Sequence, residues 1–219
     1  MLCRDDFREA LLERLGRFEI RRAEPGAGRP AAVAVAVTDA GLGADLSGMP
    51  THSDWQADAA LILTRRSLQL RAHAGQWALP GGRVEPGESA EETALREMRE
   101  EIGLGLGPEA VLGRLDDFVT RSGFVMSPVV IWAGARSGFV PDPAEVETVH
   151  RIPVREFLRA DAPLLAPGED PARPVLRMPV GDSWIAAPTA AILLQFREVC
   201  LLGRSTRVAH YDQPGFAWR

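Results

Sequence analysis

Three glutamates fall close together in this chain, at Glu97, Glu100 and Glu101. On a helix, successive residues turn by about 100°. The three carboxylates then share a strip roughly 100° wide, beside an apolar side made of Ala94, Leu95, Met98 and Ile102. Like charges at such spacing cost about 0.2–0.5 kcal/mol per pair. Glu100 and Glu101 also occupy the last turn, where the helix dipole disfavours an anion by roughly 0.3–1 kcal/mol. One reading is a solvated acidic face. The other is a cation site, because local rules broken in a direction that a cation repairs are expected where function resides. Mg²⁺ takes an octahedral shell of oxygens, commonly a few carboxylates completed by substrate phosphates.

The elements around this strip must hold it in place. Ser89 and Glu92 form the pattern of a capping box that starts a helix at Ala90, and Gly103 is placed to end it. Two turns precede the helix, at Pro80-Gly81-Gly82 and Pro86-Gly87. Ala31–Val37 and Ala59–Thr64 read as strands, with 38–54 as a loop between them. Val119–Gly134 reads as two strands around Ser122-Gly123, and Pro128 implies an edge or a bulge. Residues 4–17 place Phe7, Leu11, Leu12 and Leu15 on one side of an amphipathic helix. A late helix is expected over Pro188–Leu202. Prolines 163, 167, 171, 174 and 179 make 161–184 a surface loop or a lid, and as a hypothesis this segment shapes a substrate pocket. With no repeat and no linker, residues 1–219 form one domain of mixed α and β structure.

Composition narrows the class. The chain has 219 residues, 46% hydrophobic and 25% charged, which supports a single buried core without staples. A net charge of −5 gives no electrostatic footprint for nucleic acid or an anionic membrane. Cys3 and Cys200 read as two free thiols of a reduced compartment. The acidic, polar start Met1-Leu2-Cys3-Arg4-Asp5-Asp6 is unlike a secretory signal, and no apolar run is long enough to span a bilayer. A cytoplasmic protein is the expectation.

Residues 82–104 read GRVEPGESAEETALREMREEIGL. They resemble the Nudix box, G-x5-E-x7-R-E-U-x-E-E-x-G-U with U apolar, at every fixed position: Gly82, Glu88, Arg96, Glu97, Met98, Glu100, Glu101, Gly103 and Leu104. The resemblance implies an α/β Nudix fold, a mixed sheet sandwiched between helices. It also implies Mg²⁺ or Mn²⁺ held by Glu97, Glu100 and Glu101 with the carbonyl of Gly81, and Arg96 orienting a carboxylate with Glu88 as its partner. The implied reaction is hydrolysis of a diphosphate, in which the cations neutralise charge and acidify a water and one glutamate accepts the proton. Glu100 is the first choice for that acceptor, with Glu145 and Glu147 as rivals.

Just upstream, ILTRRSLQLRAHAGQWALPGG (62–82) resembles the extra motif of coenzyme A pyrophosphatases of that family, through Leu63, Thr64, Arg66, Ser67, Arg71, Gly75, Pro80, Gly81 and Gly82. Segments 115–130, 145–158 and 185–193 are also similar to that subfamily. Leu79 stands where Phe is usual, and Ala186-Ala187 where Trp-Gly is usual. The resemblance implies Arg66, Ser67, Arg71 and Gly82 as substrate-binding residues, with Trp77 a stacking platform or a buried wall and His73 a structural or substrate contact. It implies a small nucleotide substrate, coenzyme A giving 3′,5′-ADP and 4′-phosphopantetheine. ADP-ribose or another nucleoside diphosphate derivative is the alternative substrate, and a non-hydrolytic ligand-binding module is the alternative of another class. A homodimer is left open.

Overall fold

The computed structural model describes residues 1–215; residues 216–219 lie outside the described residues. A mixed sheet forms the centre. Its two long strands, β1 (Arg29–Gly43) and β2 (Thr51–Arg66), pair antiparallel. They are followed by short β3 (Trp77–Ala78) and β4 (Gly81–Arg83), then by β5 (Val111–Arg114), β6 (Phe118–Val119), β7 (Phe124–Gly134) and β8 (Val146–Pro153). The order is β3-β2-β1-β7-β5, with β4 on β1, β6 on β7 and β8 on β2. β1 and β7 run parallel with Val33 opposite Pro128, and the other pairs are antiparallel.

The alternation in AAVAVAV divides the core between the two faces of β1. Ala32, Ala34 and Ala36 face α2 (Ala90–Ile102), meeting Ala94, Met98 and Ile102. Small residues there let the helix lie close to the sheet. Val33, Val35 and Val37 face the other way, into a larger core with α1 (Asp5–Gly16) and α3 (Thr189–Phe196), among Phe7, Leu11, Ile192 and Phe196. Full burial of a side chain such as Met98 or Ile102 stabilises by about 1.5–3 kcal/mol. The expected sheet between helices is what forms.

Three local expectations need correction. Residues 38–54 are not a loop: β1 runs on to Gly43 and β2 starts at Thr51, giving a long hairpin with bulges. Pro128 sits on no edge strand. It falls between Val125–Met126, which pair with β6, and Val129–Ile131, which pair with β5, so no ladder donor is required of it there. The proline-rich segment is a second, three-stranded antiparallel sheet of β9 (Leu164–Ala166), β10 (Val175–Val180) and β11 (Ser183–Ala186). β9 pairs only with Val175–Arg177, so Pro179 further along β10 has a partner on one side alone. Among the described residues, no helix is long and apolar enough to cross a membrane. Cys3 and Cys200 are free thiols.

Candidate active site

The acidic strip stands on a well-built helix. Ser89 accepts from the Glu92 amide while Glu92 accepts from the Ser89 amide, and Gly103 closes the other end with φ 70°. Such a cap contributes about 1 kcal/mol. Its hydrophobic side fixes the helix's rotation, so Glu97 and Glu101 turn toward the sheet edge and are buried.

The last carbonyls of a helix lack partners within it, and here a distant loop supplies them. Val140 N–H donates to Ile102 O and Asp142 N–H to Glu101 O, each at 2.9 Å. Those bonds bring the loop's next acid to the strip: Glu97, Glu101 and Glu145 each offer a carboxylate oxygen within 4.8 Å of the others. Ser67 fastens the loop from the other side. Its N–H donates to Glu145 O at 2.8 Å and its hydroxyl to Pro143 O at 2.9 Å.

The electrostatics follow from that packing. Burial pushes the Glu101 carboxyl up to about 8, with Glu97 and Glu145 adding repulsion and Arg66 and a backbone hydrogen bond from Gly81 opposing it. Glu97 is raised too, mainly by burial. Three converging carboxylates with no sulfur or nitrogen donor suit a hard divalent cation such as Mg²⁺ or Mn²⁺. Arg96 holds the outer rim. Its guanidinium forks onto Glu88 at 2.8 and 3.1 Å, and its Nη1 donates to Glu97 and Glu100, each at 2.8 Å. The hydrogen bonds from Arg96 hold Glu88 down at about 2.

Glu100 is therefore outside the converging three, half-exposed and tied to Arg96. Glu147 is exposed, accepts from the Leu68 amide at 3.4 Å, and is not part of the cluster. Gly81 and Gly82 are close-approach positions. A Cβ on Gly81 would meet Ala32 O at 2.3 Å, and one on Gly82 would meet Glu97 Oε1 at 2.1 Å.

A cavity of about 400 Å³ opens beside Gly81 and Gly82. Arg66, Trp77, Phe124 and Thr120 line it, and Arg66 Nε is buried without a hydrogen-bond partner among the described residues. His73 also faces it, on backbone at φ 59°. Trp77 is a wall more than a platform: Arg65 covers its ring at 3.9 Å and His150 meets it edge-on at 5.0 Å. Ser183 and Trp184 of β11 line a second cavity of about 310 Å³, which shares Trp77, Pro188 and Thr189 with the first.

Two expected substrate contacts are placed elsewhere. Ser67 is fully buried and its hydroxyl is spent on the Pro143 carbonyl. Arg71 is exposed in the turn after β2 and lines neither cavity. Ser67→Ala should lower thermal stability by about 0.5–1.5 kcal/mol, since the hydrogen bond from the buried hydroxyl to Pro143 O is lost. Differential scanning calorimetry checks this; a rise in KM at unchanged melting temperature would return Ser67 to the substrate. Sequence reasoning missed Phe124, Met126, Thr120 and Gln213, which line the cavity from β7, the turn before it and the C-terminal segment. Thr120, Phe124 and Met126 lie in the similar segment 115–130, but that likeness singles out no residue, and it is the parallel pairing of β1 with β7 that brings Phe124 and Met126 to this edge.

Residues 54–177 match the profile of the NUDIX domain family. The chain is 34% identical over 154 residues to the uncharacterized Nudix hydrolase NudL of Yersinia enterocolitica, covering 68% of this chain and 71% of that protein. It is 36% identical over 104 residues to Nudix hydrolase 3 of Caenorhabditis elegans, covering 46% of this chain and 43%, less than half, of that protein. A crystal structure of a MutT/nudix family protein from Enterococcus faecalis superposes with a TM-score of 0.53 over 87% of this chain and 68% of that chain. At 18% identity the last likeness is one of fold alone.

Proposed function

The chain belongs to the NUDIX domain family and is a Nudix hydrolase, and from that premise we propose that it hydrolyses the diphosphate of coenzyme A or its derivatives, releasing 3′,5′-ADP and 4′-phosphopantetheine. The observation that carries the hydrolytic reading is the convergence of Glu97, Glu101 and Glu145 beside the glycine-walled cavity. The motif in 62–82 carries the choice of coenzyme A.

Glu97, Glu101 and Glu145 are the residues that would hold divalent cations, with the backbone of Gly81 against them. A cation bound there supplies charge neutralisation for the diphosphate oxygens and a more acidic water. The chain's own residues do the rest. Gly81 leaves room for the β1 backbone and Gly82 for the Glu97 carboxylate, so the turn packs directly against the carboxylate cluster. Arg66, whose Nε has no partner among the described residues, lines the same cavity and serves as a phosphate contact. Arg96 keeps Glu97 and Glu100 in register at the rim, and Glu100, the exposed acid of the three on the strip, accepts the proton.

The test is to incubate the purified chain with Mg²⁺ or Mn²⁺ and coenzyme A, ADP-ribose or NADH, separating products by chromatography. Selective release of 3′,5′-ADP is expected. Preferential AMP release from ADP-ribose or NADH would overturn coenzyme A and retain the chemistry. Glu100→Gln should lower kcat by about 100-fold, the scale of general base catalysis, with Mn²⁺ affinity unchanged. A matching loss of Mn²⁺ affinity would make Glu100 a cation ligand instead.

A further inference from the structure

A third cavity, of about 440 Å³, lies on the far side of the turn that joins β6 and β7. Thr120 lines both this cavity and the one beside the carboxylates, so a single turn, braced by the Thr120–Ser122 hydroxyl pair at 3.0 Å, is the wall between them. Its character is opposite to that of the acidic cluster. Five arginines surround it: Arg21, Arg22, Arg121, Arg173 and Arg207. Among the described residues, the only acids that line it are Asp116 and Asp117.

Those two acids are already committed. Asp116 is buried and bonds Arg207, the Gln195 amide group and the Arg21 backbone N–H. Asp117 takes Arg114, Ser127 and the Ala23 N–H. Arg121 pairs with Asp212, itself buried, and reaches Glu169 at 3.6 Å. Arg21, Arg22 and Arg173 have no carboxylate within ion-pair distance among the described residues, and all three are exposed at the mouth. Guanidiniums gathered this way repel one another, and in a chain of net charge −5 the concentration is not a general surface property. A phosphate monoester relieves that repulsion, offering three acceptor oxygens to planar, forked donors.

We propose that this arginine-lined cavity is a second phosphate site, which binds a phosphate monoester carried by the same nucleotide whose diphosphate lies at the carboxylates. The inference rests on the hydrolytic reading above and narrows its substrate to nucleotide diphosphates that bear a further, separate phosphate. Arg22 and Arg173 are its specificity-determining residues, contributed by the segment before β1 and by the connection between β9 and β10.

The experiment measures binding to the full chain by isothermal titration in chelator, so that hydrolysis plays no part. 3′,5′-ADP should bind at least about tenfold tighter than 5′-AMP, the scale of one charge-assisted hydrogen-bonded contact. In Arg22→Ala/Arg173→Ala, both exposed changes, the ratio should fall to about one, and in Glu101→Gln it should persist. Equal affinities in the wild type, a ratio unchanged in the double variant, or its loss in Glu101→Gln would each overturn the site. A protein that discriminates as expected yet hydrolyses no diphosphate with Mg²⁺ or Mn²⁺ would keep the site and overturn the hydrolytic reading.

Discussion

Glu101→Gln is expected to lower kcat with Mg²⁺ by at least about 100-fold, because a cation site of this kind supplies several kcal/mol of transition-state stabilisation, while the protein folds as well as the wild type or better. The two effects separate for one reason. The carboxyl of Glu101 is pushed up to about 8 from an ordinary value of 4.5, chiefly by burial and then by Glu97 and Glu145. The cation-free fold therefore holds a proton there that the unfolded chain has released. Stability from that proton is full below about pH 4.5 and gone once the pH passes about 8. Gln keeps the volume and removes the charge. In chelator, the melting temperature of the wild type should then fall relative to Glu101→Gln between about pH 5 and about pH 8.5, and Mg²⁺ should restore it in the wild type alone. Parallel curves for the two proteins would show that Glu101 is not held in the way its surroundings imply. Activity within tenfold of wild type would remove the cluster from the reaction.

How far the sequence reaches can be judged from this same residue. Glu97, Glu100 and Glu101 were legible together because helical spacing, the Ser89–Glu92 cap and the Gly103 stop are all local signals, and each is realised in α2. Which acids converge was not legible. Glu100 lies one step round the helix, within reach of Arg96, whereas Glu145 arrives because loop amides satisfy the carbonyls of Glu101 and Ile102. Loop docking of that sort leaves no periodicity. Ser67 shows the complementary failure: its place in a motif marked it, but the motif does not say whether a hydroxyl faces substrate or a neighbouring carbonyl. The AAVAVAV alternation predicted a buried strand, and burial on both faces is what its lack of polar residues requires. The prolines of 161–184 are compatible with strands because of where they stand. Pro167, Pro171 and Pro174 fall outside the strands, and Pro179 occupies a position with one neighbour only. The arginine-lined cavity had no sequence signature, since its members come from both ends of the chain and the middle.

The second large effect concerns two adjacent glycines, which should fail in different ways. A Cβ on Gly82 meets the far end of a side chain, Glu97 Oε1 at 2.1 Å and Cδ at 2.6 Å. A carboxylate can swing aside, so Gly82→Ala should fold with a melting temperature close to wild type. The cost falls on the site: Glu97 leaves its place beside Glu101, and its ion pair with Arg96 at 2.8 Å is strained or lost. A misplaced first ligand should lower kcat by about 100-fold, given that even outer contacts to a cation site are worth roughly 10–100-fold. A Cβ on Gly81 meets backbone instead, Ala32 O at 2.3 Å and Val33 Cα at 2.7 Å. Backbone at Ala32 and Val33 cannot move without the sheet, because β1 is held there between β4 on one side and β7 on the other. Gly81→Ala should therefore cost about 1–3 kcal/mol or more of stability through overpacking, and activity should fall only as the folded fraction falls. Thermal denaturation and Mn²⁺ titration of the two variants, side by side, decide the matter. If Gly82→Ala kept full activity, Glu97 would not need its present position, and the cation site would have to be built from Glu101 and Glu145 without it.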